Sequence, residues 1–117
     1  MNQVSLVGRL VYEPELKQTN SGKNYLSTRI AVSRNDKNKT TDFINIRAWE
    51  NQAKFISEYF HKGDPIGIIG KLQTESYDRQ DGTKATDTFV LIGEVNFVPQ
   101  KANSQVPSAN QGLPFEV

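Results

Sequence analysis

A change of hydrophobic period constrains this chain most. Strict two-residue alternation runs through its first half, a helical spacing follows, and strand-like segments then return. Successive side chains of a strand point to opposite faces, so alternation marks a ribbon with one face for the core and one for something else. From Tyr25 to Ser33, Leu26, Thr28, Ile30 and Val32 share one face, and Tyr25, Ser27, Arg29 and Ser33 share the other. Asp42 to Trp49 repeats the pattern, with Ile44, Ile46 and Ala48 opposite Phe43, Asn45, Arg47 and Trp49.

Residues 3–11 read as a strand ahead of these two, stopped by Glu13-Pro14-Glu15. The cluster Thr19-Asn20-Ser21-Gly22-Lys23 is turn chemistry, because Asn and Gly accept the left-handed backbone of a tight reversal. Arg34 to Thr41 is wholly polar and reads as an exposed loop. Between Asn51 and His61 the period lengthens. Ala53, Ile56 and Phe60 form one stripe flanked by Phe55 and Tyr59, and Gly63 stands where a helix commonly ends. That spacing predicts one helix of about three turns. Residues 65–77 and 85–98 supply a fourth and a fifth strand, joined by 78–84 with Asp81-Gly82 at the reversal.

Five strands with one helix between the third and fourth is the element order of the OB-fold, an all-β Greek-key barrel of five strands. The length, 117 residues, suits a single such domain over 1–99. Residues 100–117 are rich in Pro, Asn, Gln and Ser and are expected to form a disordered C-terminal tail. A fold of this kind does not by itself fix a function.

Composition removes several classes of chemistry. The absence of cysteine excludes disulfides, thiolate nucleophiles and cysteine zinc sites. Gly63, Gly67 and Gly70 before Lys71 lack phosphate-loop spacing, since Pro65 and Leu72 occupy positions that such a loop gives to Gly and to Ser or Thr. His61, the single histidine, falls at the predicted helix end, where a cation favours the dipole. Glu13 and Glu15 flank a proline in a turn and read as solvated. Nothing assembles a catalytic site, and no metal or cofactor is expected. No basic segment followed by an apolar run opens the chain, so it reads as cytoplasmic with no membrane contact.

Net charge is +1, fourteen cations against thirteen anions, so a nucleic-acid site would have to be local. The third strand offers one, because Phe43 and Trp49 share a face with Arg47 while the opposite face supplies the core. Aromatics there are available to stack on bases, and every base has a π-face. Tyr77 repeats the arrangement on the fourth strand, with Lys71 and Gln73 at alternate positions before it. Arg34 and Lys37 in the polar loop, with Arg9 and Arg29 on strands, could follow a phosphate backbone. The competing readings are packing of the aromatics under a loop or a subunit interface, and ordinary solvated charge for the cations.

These segments together resemble the bacterial single-stranded DNA-binding protein family. The likeness is carried by Val4-Ser5-Leu6-Val7-Gly8-Arg9-Leu10, Glu13-Pro14-Glu15-Leu16, Asp42-Phe43-Ile44-Asn45, Glu58-Tyr59-Phe60-His61-Lys62-Gly63 and Gly70-Lys71-Leu72-Gln73-Thr74. The resemblance implies an OB-fold subunit of a homotetramer that wraps single-stranded DNA in replication, recombination and repair. It implies base stacking at Phe43, Trp49 and Tyr77. It also implies a tail whose tip, here Leu113-Pro114-Phe115, meets replication and repair proteins. Two departures stand out. Asn35 and Asp36 occupy the loop where many relatives carry another aromatic, and Glu116-Val117 follow Phe115 where relatives end, without a run of aspartates before it. A short tail altered in this way suggests a phage, plasmid or secondary version of the family.

Overall fold

The computed structural model describes residues 1–99; the expected tail, with Leu113, Pro114 and Phe115, lies outside the described residues. Strands β1 (Val4–Leu10), β2 (Lys17–Gln18), β3 (Asn24–Ser33) and β4 (Thr41–Trp49) precede helix α1 (Glu50–Tyr59), and β5 (Pro65–Asp78) and β6 (Lys84–Phe97) follow it. The sheet order β1-β5-β6-β4-β3-β2 closes on itself because β1 also pairs with β3. Five strands therefore form a ring, and the chain adopts the OB-fold. The contact between β4 and β6 is parallel, Ile46 opposite Val90 and Arg47 opposite Leu91.

The alternation read from the sequence sets which face turns inward. Leu26, Ile30, Ile46 and Ala48 are fully buried, and Ala53 and Ile56 of α1 pack on them with Phe60, Ile66 and Ile68. Thr28 lies on the same inward face of β3, and its hydroxyl is buried with no hydrogen-bond partner among the described residues. At Gly70 the sheet bends beside a bulge after Ile69. A Cβ there would run into the Leu91 carbonyl oxygen, so only glycine permits the approach. Beyond the bend β5 and β6 continue as a hairpin arm, and Asn2 clasps its base by pairing both backbone groups of Leu72, at 2.9 and 2.8 Å.

Three details correct the sequence reading. The segment after Pro14 forms the two-residue strand β2 on the start of β3, since Lys17 pairs Tyr25 and Gln18 pairs Asn24. Two residues carry no detectable period. The helix ends at Tyr59, and Phe60 is already extended, so Gly63 does not cap it. Gly63, at φ +88°, instead makes the next reversal and donates its N–H to the Leu10 carbonyl. His61 likewise stands past the helix, and its partner is Glu13, whose Oε2 lies 3.0 Å from Nδ1. Among the described residues no helix is long and apolar enough to cross a membrane.

Candidate nucleic-acid interface

Cross-strand partners point to the same side of a sheet, so the register fixes which functional candidates share a surface. Trp49 is opposite Tyr25, Arg47 opposite Ser27, and Phe43 opposite Ala31 on β3. Arg47 meets Leu91 on β6, which meets Lys71 on β5, and the same face continues along the arm through Gln73, Glu75 and Tyr77. One outward surface thus runs from β3 over β4 and β6 onto the arm. Phe43, Trp49 and Tyr77 are 58%, 39% and 45% exposed on it. Among the described residues no loop covers them, so packing under such a loop is not their role.

The three aromatics are spaced rather than clustered. Phe43 and Trp49 are six residues apart on β4, about 20 Å of strand, and Tyr77 stands out on the arm. The tightest assembly surrounds Trp49. Its ring lies 5.6 Å from that of Tyr25, inclined by 37°. Together they line a groove of about 610 Å³ with Ser27, Arg47, Glu75, Gln18 of β2 and the turn residues Thr19 and Asn20. Next to Trp49 the backbone of Glu50 is left-handed, φ +50°, and its Oε1 accepts a 2.9 Å hydrogen bond from the Asn24 N–H.

The structure treats the predicted cations unequally. Arg47 stacks its guanidinium 3.9 Å above the Phe89 ring and donates from Nη2 to Glu75 Oε1 at 3.2 Å. Arg34 makes a two-pronged pair with Asp42, 2.9 Å at each contact. That hydrogen-bonded pairing raises the Arg34 pKa and lowers that of Asp42. Arg29 donates to the Asn45 side chain and Arg9 to the Gly63 carbonyl. Lys37 and Lys71 form no ion pair among the described residues.

Three contributors escaped the sequence reading. Tyr25 was already on the correct face by alternation, and its pairing with Trp49 needed only the register. Phe89 sits in a run of apolar residues that gives no sign of which ring supports an arginine. Glu75, with Asp87 opposite it, puts carboxylates on the same face, and neither was singled out by its local sequence. Among the described residues no three acidic or His side chains gather as a metal site.

Residues 1–98 match the Single-strand binding protein family. The chain belongs to that family. It is 37% identical to Single-stranded DNA-binding protein 2 of Clostridium acetobutylicum over 99% of its length and 90% of that protein. The protein of the same designation from Staphylococcus aureus is also 37% identical, covering 90% of this chain and 78% of its own. Single-stranded DNA-binding protein 3 of C. acetobutylicum is 39% identical over 94% of this chain and 79% of its own. Members of this family bind rather than transform, and the chain is a binding protein, not an enzyme.

Proposed function

We propose that the chain coats single-stranded DNA without sequence preference, in replication, recombination and repair, by seating bases on Trp49, Phe43 and Tyr77. The observation that carries this is the groove at Trp49. Its aromatic floor is open to solvent on the face opposite the core, with an arginine at its side. A flat, exposed ring flanked by polar turn residues fits any base, since stacking is indifferent to base-edge chemistry. Lys71 and Lys37, with Arg9, Arg29, Arg34 and Arg47, lie along the path as phosphate contacts. A duplex holds its bases stacked on each other and cannot offer them to these rings, so single strands are preferred.

The active assembly on this reading is a homotetramer in the cytoplasm. The region 1–99 forms the DNA-binding domain, and the tail 100–117, through Leu113, Pro114 and Phe115, recruits other proteins of DNA metabolism. Trp49 is the one tryptophan, so its fluorescence reports the groove alone. Titration with poly-dT is expected to quench it strongly. Full fluorescence with the DNA bound would refute the stacking assignment, and a monomer at micromolar concentration by light scattering would refute the tetramer.

A further inference from the structure

Among the described residues, Arg47 is the single cation lining the Trp49 groove and Glu75 its single anion. The groove therefore carries no net charge although it is offered to a polyanion. The two groups are in contact, at 3.2 Å, with the Arg47 side chain 26% exposed and that of Glu75 55% exposed. Arg47 is also held flat against Phe89, itself buried, so its guanidinium plane is fixed while its edge donors remain on the groove side. Phe89 restrains the arginine, and the more exposed carboxylate is the group free to leave.

We propose that Glu75 is a built-in competitor for DNA phosphate at Arg47, and that it sets the affinity and salt dependence of the Trp49 groove. A phosphate that approaches the Nη2 donor meets the carboxylate already bound there, so the two anions compete for one face of a fixed guanidinium. Coulomb attraction between Arg47 and the strand is largely cancelled while Glu75 stays. The groove then holds DNA by stacking, which is insensitive to salt. Glu75 thus acts as a specificity-determining residue by favouring a base over a backbone phosphate in this groove. The inference rests on the single strand passing over Trp49.

The full chain is titrated with a dT oligomer over a series of salt concentrations, reading both Trp49 quenching and the anisotropy of a labelled strand. Glu75→Gln keeps the shape of the side chain and removes its charge. It is expected to tighten binding about fivefold at low salt, the upper range for a surface ion pair expressed as a binding ratio. The slope of log affinity against log salt should steepen by about 0.7, the value for one phosphate contact on a single strand. Adding Arg47→Ala to Glu75→Gln should abolish the steepening. Glu58→Gln on α1 makes the same change of net charge outside the groove and should leave both quantities nearly as they were. Quenching with no change in Glu75→Gln overturns the competitor role alone, as does an equal effect from Glu58→Gln. Absence of quenching in the unmodified chain overturns the groove assignment beneath it.

Discussion

Replacing Trp49 by alanine separates binding from folding more sharply than any other single change, because the ring lies at the rim of the barrel. Its neighbours along β4, Ile46 and Ala48, carry the core and are untouched by the truncation. Two losses are expected. A base stacked on an aromatic contributes about 1–3 kcal/mol, so affinity for a single strand should fall by a factor of about 5 to 150 per site. The tilted contact with Tyr25 at 5.6 Å is lost as well, and an aromatic pair contributes about 0.5–1.5 kcal/mol to stability. For a domain of this size that corresponds to a melting point lower by about 2–12 °C. The variant has no tryptophan, so affinity is read by anisotropy of a labelled dT oligomer and melting by circular dichroism. Trp49→Phe keeps a ring and should recover most of both. A lowered melting point with unchanged affinity would show that Trp49 is a packing residue, and the stacking argument would fail.

Lys71→Ala removes a cation that forms no ion pair among the described residues, so it should weaken binding modestly and flatten the salt slope by about 0.7; an unchanged slope would place Lys71 off the backbone path. Thr28→Val exchanges an unpaired buried hydroxyl for a methyl and should raise stability by about 1 kcal/mol in urea unfolding; a loss would mean that the hydroxyl has a partner. The hydrogen bond to Glu13, then its charge, holds His61 above its ordinary pKa of 6.5. The bond to His61, then the Lys62 N–H, holds Glu13 below 4.5. The His61 contribution is complete below 6.5 and disappears as pH rises through its folded value. The Glu13 contribution is present above 4.5 and disappears as pH falls through its folded value. The tie is therefore strongest between these limits, and the melting-point gap to His61→Gln should be widest there and narrow toward alkaline pH. A gap that does not vary with pH would refute the pairing.

Elements whose pattern repeats within a few residues were legible in the sequence. Strands β3 and β4 declared their inward and outward faces because the core must be apolar while the period is fixed at two, and Phe43 and Trp49 were found as exceptions on the outer face. The Asp81-Gly82 reversal was legible for a local reason too. Gly82 takes φ +89°, and Thr83 donates to the Asp81 carboxylate through both its hydroxyl and its N–H. Strand β2 was not legible, since two residues cannot display a period and its existence depends on Tyr25 and Asn24 being near. The helix end was misplaced by two residues because Gly63 satisfies two different geometries, a helix cap and a separate reversal. Local sequence does not distinguish them.

The electrostatic side of the interface was the least legible, and the reason is distance along the chain. Arg47 finds Glu75 across 28 positions and Arg9 finds the Gly63 carbonyl across 54. A lone basic residue in a sequence reads as available, and only the fold reveals whether an anion already occupies it. Of the six candidate cations, Arg9, Arg29, Arg34 and Arg47 already donate to groups of the protein, while Lys37 and Lys71 form no ion pair among the described residues. Each engaged arginine already commits part of its donor fork to a group of the protein, and Arg34 and Arg47 already face a carboxylate, so the net gain from a phosphate is smaller than for a solvated lysine. The exposed rings give up only water-facing apolar surface when a base covers them. Binding by this chain should therefore lean on stacking more than on charge, and this agrees with a protein of near-zero net charge that binds a polyanion.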